Sequence, residues 1–333
     1  WVFCILVPDW ILMLEAARRA LDAIQPTVVL MASEMGAASR AFTIEAARRG
    51  IPTVALQHGS IFPGHSDYTH KGVTTNPRVV GVTVPQVTCV WGQGQVEALT
   101  HRGSYPPDSV VATGPWRYDE VLRTLVHDPE RARQLLQVPP GKKVVLLATS
   151  GQNFPDYARA VFEALSLRSD VFLLVKCHWG DSPDVIRQAS LEFGSPFAVV
   201  DRLLDALIAA DVVLTPWSTV AGEALLVRKP VILINFQQLA VFASKYTEVE
   251  ICHEVHNAEE LTKTLCLLLN HPDRETSWAP AMEAFIERYF GTLDGQASER
   301  VVAVIEECFR RRRADNSIPA GGQTKSRIEV PRG

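Results

Sequence analysis

The residues best suited to chemistry lie in "VVLTPWSTVAGEALLVRKPVILIN", residues 212–235. Two hydroxyl residues, Ser218 and Thr219, follow an apolar run, and Glu223 comes four residues after Thr219. The first N–H groups and the dipole of a helix favour an anion, and hydroxyls add hydrogen-bond donors. A carboxylate one turn later can accept two hydrogen bonds from a ribose diol. The spacing predicts a nucleotide site, although a simple helix cap followed by a solvated acid explains the same residues.

A second polar cluster follows two other apolar runs. "VVLLATSGQNF" ends with Ser150 and Gly151, where backbone N–H groups can approach a phosphate. "LLVKCHWGD" ends with Lys176 and His178, whose side chains project to the same face of an extended strand. A cation beside an imidazole suits a phosphate or a leaving group. The alternative for His178 is a core or capping histidine.

Each of these polar residues follows or ends a short apolar run. Such apolar runs alternate along the chain with segments of helical periodicity. The sequence predicts strands at 27–33, 52–59, 87–92, 109–114, 144–150, 171–178, 197–200, 211–215 and 230–235. Such alternation predicts parallel sheets covered on both faces, with ligands beyond the carboxyl ends of the strands. We therefore predict an α/β protein with two doubly wound, Rossmann-like domains that face a cleft. The predicted ranges are a first domain at 1–125, a linker at 126–143, a second domain at 144–313 and a disordered tail at 314–333.

At this point the sequence resembles glycosyltransferases of the GT-B fold, most closely the bacterial surface-polysaccharide enzymes. These include Kdo, polysialic-acid and glycerol-phosphate transferases. The resemblance rests on "TVALQHGS", "VWGQGQVEALTHRGSYPPDSVVATGPWRYDEV", "LLVKCHWGD" and "LLDALIAADVVLTPWSTVAGEALLVRKPVILIN", which follow one another in this order, and it spans residues 27–290. It implies an acceptor-side first domain and a second domain that binds a nucleotide-activated donor. Trp179 stands where the family has proline, which leaves the local turn and the base preference open.

In such enzymes the acceptor side carries a general base when the anomeric centre is inverted. His58 follows one predicted strand and Glu34 follows its neighbour, so both are candidates for that base. Their alternatives are a structural turn residue and an N-terminal helix residue. The loop residues His65, Asp67 and His70 could bind a metal, but they also fit an ordinary exposed loop. Because no Asp-x-Asp pair is present, we predict a metal-independent donor site and no cofactor.

Composition limits the classes of partner and compartment. The net charge is −4 and the pI is near 6.2, which argues against a nucleic-acid binder. Six scattered cysteines without a C-x-x-C pair, no signal peptide and no span of about 20 apolar residues favour the cytoplasm. The basic cluster "FRRRR" (309–313) is a candidate contact with the inner face of an anionic membrane, or merely a solvated helix end.

The predicted function is transfer of a sugar from a nucleotide-activated donor to a glycan or lipid-linked acceptor during surface polysaccharide synthesis. Three alternatives stay open. One is a non-hydrolysing UDP-N-acetylglucosamine 2-epimerase, which would require clustered acids at the strand ends of the first domain. The second is glycerol-phosphate transfer from CDP-glycerol. The third is a non-catalytic glycan- or nucleotide-binding homologue.

Overall fold

The computed structural model describes residues 7–59, 61, 68, 83–124, 128–150, 154–166, 168–178, 180–216, 218–238, 252–270 and 275–317. The chain divides into two compact units. The first comprises residues 1–124 together with 287–333, and the second comprises residues 125–286.

The first unit contains a parallel sheet of four strands in the order β1-β2-β3-β4. The strands are β1 (Val29–Met31), β2 (Thr53–Leu56), β3 (Val87–Val90) and β4 (Val110–Ala112). All residues of β2 and β3 are buried, as expected for the central strands of a sheet covered on both faces. Met31 pairs with Ala55, and Leu56 pairs with Cys89, so the carboxyl ends of these three strands lie at one edge.

Helices join and flank these strands. Two longer ones, α1 (Val7–Ile24) and α2 (Gly36–Arg48), pack together through Leu21, Ala46 and Ile51. The shorter helical elements are α3 (Gln93–Glu97), which continues as a π-helix (Ala98–Arg102), two 3₁₀ turns (Pro107–Ser109 and Trp116–Tyr118) and α4 (Asp119–Thr124).

The second unit contains a six-stranded parallel sheet in the order β10-β9-β8-β5-β6-β7. Its strands are β5 (Lys143–Ala148), β6 (Val171–Lys176), β7 (Phe197–Val199), β8 (Val212–Thr215), β9 (Val231–Ile234) and β10 (Cys252–Val255). From β5 the chain first adds strands on one side and then returns to place β8 on the other side. The strand order therefore reverses between β5 and β8, and open α/β sheets bind ligands at such a switch point.

The helices of the second unit follow its strands in alternation. They are α5 (Pro129–Leu135), α6 (Phe154–Leu165), α7 (Pro183–Phe193), α8 (Leu203–Ala209), α9 (Val220–Leu226) and α10 (Ala258–Asn270). The next helix, α11 (Glu275–Phe290), begins in this unit, and its residues from Glu287 onward belong to the first unit. The last helix in the described part of the chain is α12 (Ala297–Ser317).

The return of the C-terminal segment to the first unit differs from the predicted domain ranges, which placed residues 144–313 together. Asp119 holds the start of α12, because its carboxylate accepts from Ala297 N at 3.0 Å and from Ser298 N at 2.5 Å. Farther along, Val301, Val304 and Cys308 pack into the core against β2 and β3. These contacts join residues about 180 positions apart in sequence, which a local pattern does not reveal.

Glycine allows the return of the chain to pack closely. A Cβ atom at Gly92 would lie 2.5 Å from the carbonyl oxygen of Arg288, a distance that no side chain could occupy. The Gln95 side chain then ties the two segments, since its Oε1 accepts from Gly92 N at 3.0 Å and its Nε2 donates to Tyr289 O at 2.9 Å. The glycines of "WGQGQ" therefore serve packing within the first unit.

Several details differ from the sequence predictions. Strand β10 was not predicted, because His253 and Glu254 interrupt its short apolar pattern. The N-terminal stretch, for which the sequence analysis gave no strand, is helical from Val7 onward. Helix α12 runs to Ser317, past the predicted start of the tail at residue 314, while residues 318–333 lie outside the described residues. None of the helices described is long and apolar enough to cross a membrane.

Candidate functional site

The switch point of the second sheet carries two buried hydroxyls. Ser150 lies two residues beyond β5, and Thr215 is the last residue of β8, the neighbouring strand. Thr215 is fully buried. Thr215 Oγ1 has no hydrogen-bond partner among the described residues, and Ser150 Oγ makes no well-aligned hydrogen bond with them, although its hydroxyl acts on the nearby Tyr157 phenol. Leaving a buried hydroxyl unpaired costs about 1–3 kcal/mol, so these two at one strand edge indicate a site that receives a polar ligand.

The ends of β5 and β6 are locked together by Thr149. Its N–H donates to Lys176 O at 3.0 Å, and its Oγ1 accepts from His178 N at 2.7 Å. These two bonds fix the loop that follows β6, and with it the backbone of His178. The loop residue Ser150 is held in turn by its own N–H, which donates to the Tyr157 hydroxyl at 3.3 Å.

The tautomer of His178 follows from its neighbour. Gly180 N donates to His178 Nδ1 at 3.2 Å, so Nδ1 is an acceptor and the proton of the neutral ring resides on Nε2. His178 can thus donate a hydrogen bond from Nε2 to an oxyanion. Lys176, the last residue of β6, is half-buried, and its ammonium group makes no hydrogen bond or ion pair with the described part of the chain. The strand is shorter than the predicted range 171–178, because it ends at Lys176 and His178 lies two residues beyond it.

The segment at residues 212–235 differs in one respect from the phosphate site that the sequence predicts. Helix α9 has seven residues, and Ser218 Oγ accepts from Val220 N at 3.2 Å, so this hydroxyl caps the local turn. Its O–H remains a donor. Thr219 makes no side-chain cap bond, and Glu223 is half-buried in the first turn of the helix. The cap interpretation therefore holds for Ser218, and the assignment of Glu223 to a ribose stays a prediction.

In the first unit the turn after β2 is built around Gln57, which is fully buried. Its Oε1 accepts from Trp91 N at 2.9 Å, and its Nε2 donates to Gly59 O at 2.8 Å. The side chain thereby bridges the end of β3 and the turn that carries His58. Trp116 Nε1 donates to the Gln57 carbonyl at 3.3 Å, which adds a further restraint.

His58 is half-buried in this turn and is held at both its backbone and its ring. Arg117 Nη1 donates to the His58 carbonyl at 2.8 Å. The Tyr68 hydroxyl lies 3.3 Å from His58 Nδ1, and the two rings stack with centroids 6.5 Å apart. If Nδ1 donates to the Tyr68 oxygen, the lone pair of the neutral ring is at Nε2, which is the form that a general base requires.

Glu34 is enclosed rather than open, with 6% of its surface exposed. The Tyr105 hydroxyl donates to Oε1 at 2.8 Å, and the Thr88 hydroxyl donates to Oε2 at 3.1 Å. Burial raises the pKa of Glu34 to about 7, against the opposing effects of these two bonds and of Arg40. The carboxyl group therefore titrates near neutral pH, but both of its oxygens are already occupied by hydroxyl groups.

Several predicted residues cannot be placed. Gly151, His65, Asp67, His70 and Trp179 lie outside the described residues. Within the part of the chain that is described, no three His, Cys, Asp or Glu side chains gather as metal ligands. The possible metal role of the loop residues stays untested.

Sequence reasoning missed four residues of these sites: Thr215, Gln57, Tyr68 and Tyr105. Thr215 carried a weak signal, because it ends an apolar strand directly before Pro216. Gln57 precedes the candidate His58 and offered a similar signal. The two tyrosines gave none: Tyr105 contacts Glu34 across 71 positions of sequence, and Tyr68, ten positions after His58, stands in a segment without a periodic pattern.

Comparison with known proteins identifies the group to which this architecture is related. Residues 95–307, more than half of the chain, match the family described as CDP-Glycerol:Poly(glycerophosphate) glycerophosphotransferase. The teichoic acid poly(ribitol-phosphate) polymerase of Bacillus spizizenii (strain ATCC 23059 / NRRL B-14472 / W23) is 26% identical over 212 residues. That match covers 59% of this chain and 33% of the relative, so the chain spans about a third of the relative's length.

Solved structures resemble the chain at the level of fold. A putative UDP-N-acetylglucosamine 2-epimerase from Listeria monocytogenes matches with a TM-score of 0.63 and 16% identity, over 90% of this chain and 78% of that one. The wall teichoic acid polymerase TagF, soaked with CDPG, matches with a TM-score of 0.56 and 15% identity, over 78% and 69% of the two chains. The predicted fold class, two Rossmann-like domains of the GT-B type, is confirmed, as is the resemblance to transferases of bacterial surface polymers.

Proposed function

Because the chain belongs to the CDP-glycerol:poly(glycerophosphate) glycerophosphotransferase family, we propose that it transfers a polyol phosphate from a CDP-activated donor to a hydroxyl group of a cell-surface polymer. The observation that carries this proposal is the pair of buried hydroxyls at the switch point of the second sheet, where Thr215 Oγ1 has no partner among the described residues and Ser150 Oγ makes no well-aligned hydrogen bond with them. A polyol phosphate replaces the sugar of the sequence-based prediction, because the family is described by glycerophosphate transfer and its relative by a ribitol-phosphate polymer.

The donor side supplies what a diphosphate needs. Ser150 and Thr215 contribute hydroxyl donors, Lys176 contributes a positive charge, and His178 contributes an N–H donor from Nε2. Charge-assisted bonds of this kind are about twice as strong as neutral ones. Because they are fixed by the strand ends before the donor arrives, they also stabilise the charge that develops on the leaving nucleotide.

Ser218, Thr219 and Glu223 complete the proposed donor site. The Ser218 O–H can donate to a phosphate while its oxygen caps the turn, and Thr219 adds a second hydroxyl. Glu223, one turn farther along, would accept from the ribose diol. Gly151 would contribute its backbone N–H group to the phosphate.

On the acceptor side we assign the general base to His58. In the proposed step the oxygen of the acceptor hydroxyl forms a bond to the phosphorus that bears the polyol. The bond from that phosphorus to CMP breaks, and CMP leaves with the bonding electrons. The proton of the hydroxyl passes to His58 Nε2. The Thr88 and Tyr105 hydroxyls enclose the Glu34 carboxyl group, so Glu34 does not contact the substrate in this proposal.

A panel of activated donors tests the substrate class. The chain would be incubated with CDP-glycerol, CDP-ribitol, CMP-sugars and UDP-sugars, together with a short poly(glycerol-phosphate) acceptor. We expect release of CMP from a CDP-polyol and lengthening of the acceptor by one polyol phosphate in mass spectra. Release of a nucleotide only from sugar donors would instead support the glycosyltransferase of the sequence-based prediction. Isomerisation of UDP-N-acetylglucosamine would support the epimerase.

Single variants test the assigned roles. His58→Ala should lower the transfer rate about 100- to 10,000-fold, the usual loss for a general base, with donor affinity little changed. His101→Ala, at an exposed histidine of the same unit, is the matched control. Transfer within about threefold of the parent, well short of that general-base loss, would assign the base elsewhere.

Glu223→Ala should weaken nucleotide binding by on the order of 2–4 kcal/mol, because two charge-assisted bonds are lost. Its control is Glu259→Ala, at an exposed acid on α10. Equal dissociation constants for the parent and Glu223→Ala would remove the ribose assignment.

We further propose that the reaction takes place in the cytoplasm at an anionic membrane surface, with a lipid-linked polymer as acceptor. The support is the end of α12, although only part of its basic cluster faces outward. Arg312 donates to the carbonyls of Pro26 and Thr27, and Arg311 pairs with Glu307 at 2.7 Å. Arg310 and Arg313 are exposed.

Replacing Arg310 and Arg313 together by glutamine should reduce co-sedimentation with anionic vesicles about tenfold or more, at about 1 kcal/mol per basic residue. Arg187→Gln, which changes an exposed arginine on α7, is the control. Unchanged sedimentation would leave the cluster as a solvated helix end.

A further inference from the structure

A cavity of about 470 Å³ lies at the amino ends of β2 and β3 in the first unit. Thr53 begins β2, Gln86 directly precedes β3, and Ala47 is near the end of α2. Helix α12 contributes Arg311 and Arg312 to the lining. The volume falls within the range of about 300–1,000 Å³ that small-molecule sites have.

This cavity is separate from the site proposed for the transfer step. Thr53 is at the amino end of β2, whereas His58 follows the carboxyl end of that strand. The four residues of β2 span about 13 Å, at about 3.3 Å per residue. A small ligand in the cavity therefore does not contact His58.

The charged side chains of the cavity are positive. Arg311 and Arg312 line it, and no Asp or Glu is among the described residues of the lining. Arg310 and Arg311 share one carboxylate, because Glu307 pairs with them at 2.6 and 2.7 Å. Arg312 has no carboxylate partner within the described part of the chain. Its charge is therefore not neutralised locally, which favours an anionic ligand.

Arg312 is held in a way that leaves one edge of its guanidinium group available. Its Nη1 donates to the carbonyl oxygens of Pro26 and Thr27 at 2.9 and 2.8 Å. Nε and Nη2 make no hydrogen bond with the described residues, and together they form the planar fork that binds two oxygens of a phosphate. Because the two carbonyls already restrain this half-buried side chain, less conformational entropy is lost when a ligand binds.

Neutral residues of the lining suit the rest of such a ligand. The Thr53 hydroxyl oxygen accepts from Gln86 N at 2.9 Å, and its own O–H remains a donor. The exposed side chain of Gln86 offers an amide group. Ile51 and Val84 add apolar surface, which a carbon skeleton can contact and a bare inorganic ion cannot. The lining therefore fits a phosphate ester better than free phosphate.

We propose that this cavity binds a phosphate ester of a small polyol, with Arg312 as the residue that binds the phosphate group. The same chemical group occurs in free glycerol 3-phosphate and in the headgroup of phosphatidylglycerol. The inference goes beyond the proposed function, because this site neither holds the activated donor nor receives the acceptor hydroxyl.

Methyl NMR of the full chain labelled at threonine tests the inference at the cavity itself. The γ-methyl signal of Thr53 is assigned as the one missing from the spectrum of Thr53→Ser. It is followed during titration with glycerol 3-phosphate or inorganic phosphate at constant ionic strength. We expect a saturable shift with a lower dissociation constant for the ester. Equal constants for the two ligands would overturn the assignment to an ester.

Two variants alter the anion site in different ways. Arg312→Gln removes the fork and should raise the dissociation constant for glycerol 3-phosphate about tenfold or more, the usual effect of losing hydrogen bonds to a charged group. Ala47→Glu should have a similar effect, because it places a carboxylate beside the cavity at an exposed position. Ala47→Gln has the same size without the charge, and Arg102→Gln changes an exposed arginine elsewhere in the first unit. Both controls should bind the ester as the parent does.

Co-sedimentation with vesicles of phosphatidylglycerol and phosphatidylcholine distinguishes the two sources of the ester. If the cavity takes a lipid headgroup, glycerol 3-phosphate should release the parent from the vesicles at constant ionic strength. Ala47→Glu should then sediment about tenfold less than Ala47→Gln. If the cavity takes a free ester, glycerol 3-phosphate should shift the Thr53 signal and release no protein.

These measurements can refute the inference independently of the proposed function. A Thr53 signal that neither glycerol 3-phosphate nor the vesicles shift would overturn it. Equal dissociation constants for the ester in the parent, Arg312→Gln and Ala47→Glu would do the same. If Arg312→Gln does not fold, the Ala47 pair decides alone, since it leaves the bonds of Arg312 intact. A saturable shift of Thr53 that both variants weaken supports the inference even where no polyol phosphate is transferred.

Discussion

Replacing Glu34 by glutamine should remove a pH dependence of stability from the first unit. Burial raises the pKa of this carboxyl group from 4.5 to about 7, even though Tyr105 and Thr88 donate to it. In the unfolded chain the group is solvated and returns to its ordinary value. Between pH 4.5 and 7 the folded state therefore keeps a proton that the unfolded state has released.

The sign and size of the effect follow from this difference. A group whose pKa is raised on folding contributes stability below its unfolded pKa, and this contribution is lost as the pH rises through the folded value. A rise from 4.5 to about 7, at about 1.4 kcal/mol per unit, corresponds to a loss of about 3 kcal/mol between pH 4.5 and 8. Glutamine has no such titration, so Glu34→Gln should lack the loss.

Urea unfolding at a series of pH values measures this, with hydrogen exchange in peptides from β3 to report on the first unit by itself. The free energy of unfolding of the parent should fall relative to Glu34→Gln by about 3 kcal/mol as the pH rises from 4.5 to 8. Glu163→Gln changes an exposed acid on α6 and should leave the pH dependence of the first unit unaltered. Parallel curves for the parent and Glu34→Gln would refute the argument from burial.

Three further outcomes are expected. Ser150→Ala should weaken binding of a CDP-activated donor about fivefold, which corresponds to the loss of one hydrogen bond, and should not lower the stability of the protein. Ser190→Ala should lower the stability and leave donor binding unchanged, because the Ser190 hydroxyl donates to a backbone carbonyl. Thr215→Val should also weaken donor binding, while the free energy of unfolding of the second unit stays equal or rises. Asp119→Ala should lower the stability of the first unit by about 1–2 kcal/mol through loss of the α12 cap, and Asp128→Ala should affect only the second unit, where it caps α5. Calorimetry for binding and urea unfolding for stability check all three.

Much of the fold could be predicted, because its sheets are buried on both faces. Such strands are near-continuous apolar runs, as in "VVLLA" of β5 and "VILI" of β9, and these stand out from the helices between them. Strand β10 could not be predicted, since "CHEV" is short and carries two polar residues. The return of α12 to the first unit depends on Asp119 and on packing beside β2, and neither contact has a local signature.

The sequence could predict those site residues whose positions follow from the order of strands along the chain. Polar residues after the strands of a parallel sheet share one edge, which led to Ser150, Lys176 and His178. The sequence could not show which hydroxyls would be satisfied internally. Ser218, predicted to bind phosphate, caps a turn, whereas Thr215, which carried only a weak sequence signal, is buried without a partner among the described residues. That distinction depends on angles and distances that exist only in the folded chain.

The buried polar groups of the two units differ in whether they have hydrogen-bond partners within the protein. In the first unit each oxygen of the Glu34 carboxyl accepts from a hydroxyl group, and burial raises its pKa against the effect of these two bonds. In the second unit Thr215 Oγ1 is buried without a partner among the described residues, at a cost of about 1–3 kcal/mol, and Ser150 Oγ makes no well-aligned hydrogen bond with those residues. A ligand that supplies acceptors recovers part of that cost, so donor binding should raise the stability of the second unit by more than its contacts elsewhere would give.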